Sequence, residues 1–421
     1  MFDKVILHCD LNNFYASVEC ILHPELKGKA VAVCGDPEKR HGIVLAKSEI
    51  AKSAGVKTGE PIWQAKQKCP DLTVVPPTYG EYVKYSKIVR EIYTRYTSEV
   101  ESFGLDECWL DVTGSRKLFG SGEEIAESIR RTVKEETGGL TVSIGVSFTK
   151  VFAKLGSDLK KPDAISVISP ENYKKVAWEL DVGEMLFIGR ATREKLRVLN
   201  INTIGDLANA DDGMIMRIFG KNGLKMLENA RGTGDEPVKC YTERHIPESI
   251  GNGTTTSEDI TNARDAERVI YALSEMIAFR LRGGGFKGES VGISLRDASL
   301  SHVSKQGKLP SATDAASTIA RSAVELMNSI YDFSYMRPLR SITVCVFKLS
   351  GVGDYAQSSL FETDDSRNAA LDRRIDKLRS KFGYNVVKRA LNLNTVFSCD
   401  SREADDEFLP FDKHMKNLGE D

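Results

Sequence analysis

The chain has 421 residues, 41% hydrophobic and 28% charged, an ordinary globular composition too long for a single core, so two or more domains are expected. No apolar run approaches the ~18 residues of a membrane span, and the N-terminal MFDKVILHCD is too short and too acidic for a secretory leader. A net charge of −2 does not announce a polyanionic partner, and eight scattered cysteines without CxxC argue against structural zinc or a disulfide scaffold and for a reducing cytoplasm.

In chain order, Val5 to Cys9 reads as a buried strand ending at Asp10, and NNFYASVECI follows with Phe14, Val18 and Ile21 at helical spacing. Lys29–Cys34 and Gly42–Ala46 are further strands, AKSEIAKSAGV is a short helix closed by Gly55, and PDLTVVPP is a proline-bounded strand. Tyr79–Tyr96 fits a helix. Glu99–Phe103 and Cys108–Val112 are strands separated by Gly104 and Leu105; Glu123–Glu136 is a helix ended by Gly138 and Gly139; LTVSIGVS is a strand. This is an α+β pattern, with a ferredoxin-like split βαβ as one arrangement. From Ser169 to Gly232 the segments are short and helical. Glu236–Ile250, with two prolines and few apolar residues, reads as a linker. Then come a helix at Ala263–Leu281, a strand at Ser290–Arg296, a helix at Ala312–Ile330 and a strand at Leu339–Phe347, forming a second small α/β unit. A charged helix and a polar, acidic tail complete the chain.

SFGLDECWLDV (Ser102–Val112) places three acids among apolar residues. Neighbouring side chains on a straight strand point to opposite faces, so Asp106 and Glu107 can serve one site only if the chain turns, which Gly104 permits. With Asp10 at a neighbouring strand end, Asp106 and Glu107 make a cluster of three carboxylates. Such a cluster raises its own pKa values unless cations are present, and its oxygen ligands suit Mg²⁺. Two such ions can clamp the attacking and leaving oxygens of a phosphoryl transfer. The plainer reading of an isolated Asp-Glu pair is a solvated surface hairpin.

CDLNNFYASVE (Cys9–Glu19), SFGLDECWLD (Ser102–Asp111) and VSIGVSFTKVFAKLGSDLKKPDAISVI (Val142–Ile168) together resemble the motifs of the Y-family, translesion DNA polymerases, in order and over roughly residues 1–395. The resemblance implies a right-hand architecture. A ferredoxin-like palm would span 1–12 and 78–168, small fingers 13–77, and a helical thumb with a helix-hairpin-helix 169–235. A linker at 236–250, an α/β little finger at 251–350 and a C-terminal tail at 351–421 would follow. It also implies a template-directed, error-prone polymerase that adds dNTPs to a primer past damaged bases, using two Mg²⁺ ions held by Asp10, Asp106, Glu107 and the backbone carbonyl of Leu11. Tyr15 matches the steric gate that rejects a 2′-hydroxyl. Phe14 packs below the nucleotide or into the core, and Lys161 meets the triphosphate.

Two positions depart from the common pattern. The fingers' Tyr-x-x-Arg pair is replaced by Glu49 and Lys52; Lys52 can still meet a phosphate, and Glu49 receives no role. Asn12 stands where many members carry a second Asp. Both changes occur in the branch resembling the polymerase V catalytic subunit, and kinship with polymerase IV or V stays open. FIGRATREKL (Phe187–Leu196) resembles a helix-hairpin-helix whose Gly189 lets backbone N–H groups approach a DNA phosphate, with Ala191 in place of the second glycine. In the little finger, Arg280, Arg282, Lys287 and Arg296 could track duplex phosphates without reading bases. QSSLF resembles the peptide by which bacterial polymerases dock on the sliding clamp, with Gln357 at the rim and Leu360 and Phe361 in an apolar pocket. A monomer with no membrane attachment is expected. The rival readings are a non-catalytic DNA-binding protein that kept the fold, and a palm-type nucleotide cyclase. The acidic trio argues against the first; the hairpin and the docking peptide have no place in the second.

Overall fold

The computed structural model of the protein describes residues 4–38, 40, 42–242, 247–351, 364–383 and 386–392. It divides into two compact units, residues 1–33 with 44–243, and residues 34–43 with 244–421. The Gln357–Phe361 segment, expected to dock on a sliding clamp, and the acidic tail lie outside the described residues.

The first unit begins with β1 (Ile6–Leu11), α1 (Phe14–Leu22), β2 (Val31–Cys34), β3 (Val44–Lys47), α2 (Glu49–Ser53), α3 (Ile62–Lys68) and β4 (Thr73–Val75). It continues with α4 (Tyr79–Tyr93), β5 (Val100–Phe103), β6 (Glu107–Asp111), α5 (Arg116–Phe119), α6 (Gly122–Glu136), β7 (Val142–Ser147), α7 (Lys150–Leu159) and β8 (Ile165–Ile168). Five strands form one sheet in the order β5-β6-β1-β7-β8, and β3-β2-β4 form a smaller one. β1 is buried along its whole length. It is the central strand with both faces covered, which is why ILHC reads as a continuous apolar run broken only by a histidine. Its antiparallel register sets Asp10 opposite Glu107 and Cys9 opposite Cys108.

One face of this sheet packs under α6, whose Ile125, Ile129 and Val133 recur at helical spacing and are buried behind a Ser121–Glu124 capping box. The other face takes α7, and two glycines decide how closely. A Cβ on Gly145 of β7 would lie 1.9 Å from the Ala153 carbonyl and 2.5 Å from the Ser157 nitrogen. A Cβ on Gly156 would lie 3.1 Å from the Gly145 Cα. With no side chains between them, α7 rests directly on the sheet and holds its polar side chains over β1.

Short helices α8 (Tyr173–Ala177), α9 (Arg190–Val198), α10 (Ile204–Ala208), α11 (Asp212–Phe219) and α12 (Lys221–Arg231) follow. They share a core that includes Leu196, Ile204, Leu207, Ile215 and Leu227. The expected linker is only partly free of the unit. Val238 is buried with Ile6, Trp109 and Ala153, and the backbone N–H groups of Lys239 and Tyr241 donate to Glu101 and to the Ser98 carbonyl, both at 3.0 Å.

The second unit contains β9 (Ser249–Ile260), α13 (Ala263–Gly284), β10 (Phe286–Asp297), β11 (His302–Thr313), α14 (Ala316–Asn328), β12 (Leu339–Gly351) and α15 (Asp364–Phe382). Its antiparallel sheet runs β11-β10-β12-β9. Ile293, Leu295, Val344 and Val346 on the sheet pack against Leu273 and Ile277 of α13 and Ile319 of α14. The strands β9 and β11 were not anticipated, and the helix expected from Ala312 begins at Ala316 because the chain is still extended to Thr313.

Candidate active site

The turn between β5 and β6 brings the acids together. Gly104 takes φ +81°, a left-handed conformation, and Asp106 follows it. Helix α4 pins the turn: Ser86 donates to the Leu105 carbonyl and Arg90 donates to the Gly104 carbonyl at 3.1 Å. The Leu11 N–H donates to the Asp106 carbonyl at 3.0 Å, closing β1 onto this turn. Asp10, Asp106 and Glu107 therefore share one end of the sheet, as their spacing predicts.

Two lysines reach into the same place. Lys154 Nζ lies 2.9 Å from Glu107 Oε2 and 3.2 Å from Asp10 Oδ2. Lys161 Nζ lies 2.8 Å from the same Asp10 oxygen. Asp158 joins both, at 3.2 Å from Lys154 and 2.8 Å from Lys161. Lys154, Asp158 and Lys161 follow one another at intervals of four and three residues. Lys154 and Asp158 lie a turn apart on α7, and Lys161 stands just past its end, on the same side. Lys154 and Asp158 are absent from the sequence reading; that spacing, beside Asp10, is the signal that could have found them.

The charges respond to one another. Burial and the Asp10 and Glu107 carboxylates push Asp106 up to about 6. Burial works against the charge on Glu107, yet hydrogen bonding to His8 and the Lys154 ammonium bring it below the usual carboxylate range. Lys154 is likewise desolvated, but Asp10, Glu107 and Asp158 hold its pKa above the ordinary value. Among the described residues no three acidic, histidine or cysteine side chains close tightly enough to cage an ion alone. The donor set fits a different kind of site. Hard carboxylate oxygens, one of them carrying a raised pKa that a cation would relieve, suit Mg²⁺ completed by substrate phosphates.

Tyr15 stands beside the acids and feels the Asp106 charge. Burial, then that charge, raises its hydroxyl to about 12, so it remains a neutral phenol. Its ring stacks on Tyr82 at 4.2 Å and 9° and meets Tyr79 edge-on at 6.1 Å. Tyr82 is fixed in turn by its hydroxyl donating to Glu19. Asn12 is buried, donating to Ser143 Oγ at 2.9 Å and accepting from the Asp163 N–H at 2.8 Å. It ties the Lys161 loop to β1.

The sequence model of the impB/mucB/samB family matches residues 9–158, and that of its C-terminal domain matches residues 247–360. The chain is 47% identical over 393 residues to the DNA polymerase IV of Acetivibrio thermocellus, covering 93% of this chain and 98% of that protein. It is 33% identical over 398 residues to DNA polymerase IV 1 of Bacillus subtilis, covering 93% of each. A solved Y-family DNA polymerase chimera of Dbh and Dpo4 superposes with a TM-score of 0.73 at 25% identity, over 82% of this chain and 98% of that one. This chain belongs to the Y-family DNA polymerases.

Several residues sit differently in this Y-family chain than the motifs suggest. Phe14 is 3% exposed and packs against Tyr15 and Tyr82, so of its two expected places it takes the core and supports the Tyr15 ring from there. Lys52 is exposed and lies 3.1 Å from Glu49, whose other oxygen accepts from Asn13 at 2.9 Å. Glu49 thus pairs with Lys52 at the surface and links α2 to the start of α1. In the turn before α9 the left-handed residue is Phe187, at φ +71°, while Gly189 takes an extended conformation as N-cap of α9 with open space at its Cβ. Gly189 therefore permits approach without being required by the backbone.

Arg282 is a correction. It lies on α13, its side chain 8% exposed, with its guanidinium on Asp376, on Asp372 and on the Asp314 carbonyl. These partners take four of its five N–H donors and hold the guanidinium inward, against α15 and the Asp314 carbonyl. Arg280 donates to the Gly251 carbonyl at 2.9 Å and is half-buried. Lys287 and Arg296 are on β10, Arg296 exposed beside the Leu300 carbonyl. Asp111 stands apart from the cluster: it accepts from the Thr113 N–H at 2.9 Å and closes a local turn.

Proposed function

We propose that this Y-family chain is a template-directed polymerase of damaged DNA, adding a deoxynucleotide to a primer 3′-hydroxyl by in-line attack on the α-phosphate. One observation carries the reading: Asp10, Asp106, Glu107, Lys154 and Lys161 converge at the sheet end beside the Tyr15 ring. Two Mg²⁺ ions would be held by Asp10, Asp106, Glu107 and the Leu11 carbonyl. Bound there, Mg²⁺ lowers the pKa of the attacking hydroxyl and stabilises the leaving pyrophosphate. Lys161 and Lys52 bind triphosphate oxygens. Tyr15 occupies the space of a 2′-hydroxyl, and its stacked partner Tyr82 keeps it from yielding.

In this reading, residues 1–12 and 78–168 form the palm, 13–77 the fingers, 169–235 the thumb and 251–350 the little finger. Lys287, Arg296 and the α9 turn at Gly189 track the backbone of primer-template DNA. The Gln357–Phe361 peptide docks on a sliding clamp. The protein acts as a monomer in the cytoplasm. The seven described cysteines are all free thiols, which suits that compartment. No helix among the described residues is long and apolar enough to cross a membrane.

Primer extension across an abasic template site, with Mg²⁺, tests the activity. The native chain should extend and Asp106→Asn should not; extension by both, or by neither, sinks the proposal. Replacing Leu360 and Phe361 by alanine should abolish stimulation by the clamp and leave basal extension unchanged.

A further inference from the structure

His8 is fully buried on β1, two residues before Asp10 and on the same face. Its Nε2 lies 3.1 Å from Glu107 Oε2. Its Nδ1 lies 2.8 Å from Ser157 Oγ. Trp109 meets the ring edge-on at 5.1 Å, which fixes its plane. Ser157 comes from α7, 1% exposed, and its hydroxyl also stands 2.8 Å from the Lys154 carbonyl. This three-element contact exists because Gly145 and Gly156 let α7 rest on the sheet.

The chemistry settles one proton. Glu107 is an ionised carboxylate 2.9 Å from the Lys154 ammonium, and it can only accept. A bare Nε2 would put two lone pairs 3.1 Å apart in a buried place. Nε2 must therefore carry a hydrogen, whether the ring is neutral or cationic. Ser157 serves either form, since its hydroxyl can donate to a bare Nδ1, or accept from a protonated Nδ1 and donate to the Lys154 carbonyl.

We infer that His8 is a positioning residue for Glu107, its Nε2–H facing Oε2 across 3.1 Å while Ser157 and Trp109 hold the ring. This rests on the reading of Glu107 as a cation-holding carboxylate. His8 touches neither nucleotide nor DNA. It limits the rotation of a side chain at a strand end and directs the other Glu107 oxygen to the cation. Partners that orient metal ligands in this way typically matter by ~10–100-fold in metal affinity.

The test is Mn²⁺ titration of the full chain, read by electron paramagnetic resonance, with two substitutions that separate the ring nitrogens. Gln presents an N–H near the position of Nε2, and Asn one near Nδ1. His8→Asn should weaken Mn²⁺ binding by ~10-fold or more, and His8→Gln should stay within about threefold of the native chain. Ser157→Ala, which leaves the imidazole in place, should weaken binding severalfold with an unchanged melting temperature. Equal Mn²⁺ affinity in His8→Gln and His8→Asn, or native affinity in Ser157→Ala, overturns the assignment. So does a neutral Nδ1–H tautomer of His8 in the ¹⁵N spectrum of histidine-labelled protein. If the native chain takes up no Mn²⁺, the metal reading fails instead, and the ¹⁵N spectrum still decides which nitrogen of His8 bears the proton.

Discussion

Asp106→Asn replaces a buried carboxyl by an amide of the same shape, and it should stabilise the protein it inactivates. Burial and two neighbouring carboxylates move Asp106 from 3.8 to about 6. The unfolded chain therefore releases this proton more readily than the folded one. The penalty is absent below about pH 4, grows between pH 4 and 6, and is complete above. At about 1.4 kcal/mol per pH unit between the two values, it reaches about 3 kcal/mol at pH 8. All three tryptophans, Trp63, Trp109 and Trp178, lie in the first unit. Urea unfolding followed by tryptophan fluorescence therefore reads the unit that carries the site. In EDTA at pH 8 the variant should be more stable by up to about 3 kcal/mol, and near pH 4 the difference should largely vanish. Saturating Mg²⁺ should close the gap by stabilising the native chain. Equal stability at pH 8, or a loss, would show that Asp106 is already compensated and would refute the electrostatic account.

Three further predictions concern different links. Tyr15→Ala should admit ribonucleotides, and Tyr82→Phe, which breaks the bond to Glu19, should relax the same discrimination by less; ribonucleotide incorporation measures both, and unaltered selection in Tyr15→Ala would reduce it to packing. Lys154→Met removes a cation that shares Asp10 and Glu107 oxygens with any bound ion, so Mn²⁺ should bind severalfold more tightly; weaker binding would mean that Lys154 shapes the site. Arg282→Met strands Asp372 and Asp376, and a broken buried pair typically costs ~3–5 kcal/mol. Amide exchange should rise in α13 and α15 while DNA affinity of the folded protein stays within about twofold, and protected amides would show that the pair is not needed.

The parts that the sequence declared are those where one residue's neighbours along the chain carry the signal. β1, β6 and β7 are buried, apolar, central strands, and α6 shows its stripe at Ile125, Ile129 and Val133. The missing strands fail for the opposite reason. β9 and β11 are the two edges of their sheet; SIGNGTTTSEDI is polar and largely half-buried, and HVSKQGKLPSAT faces water over much of its length. Edge strands owe their conformation to backbone pairing with β12 and β10, which leaves little trace in side-chain polarity. Asp10, Asp106, Glu107, Tyr15 and Lys161 could be named because their motifs are contiguous. Arg282 misled because a basic residue looks the same whether it faces solvent or aspartates 90 and 94 positions away.

By itself, then, the sequence determined the strand-end acids, the turn at Gly104, the place of Tyr15 beside them and the kinship that joins them. These follow from local backbone rules and from residue types whose chemistry admits few uses. Only the tertiary structure decided what compensates the acids. Lys154, Ser157 and His8 meet because Gly145 and Gly156 remove the side chains that would keep α7 off the sheet. Ion pairs and hydrogen bonds reach over only a few ångströms, so their partners are chosen by packing, and packing joins residues nearly 150 positions apart.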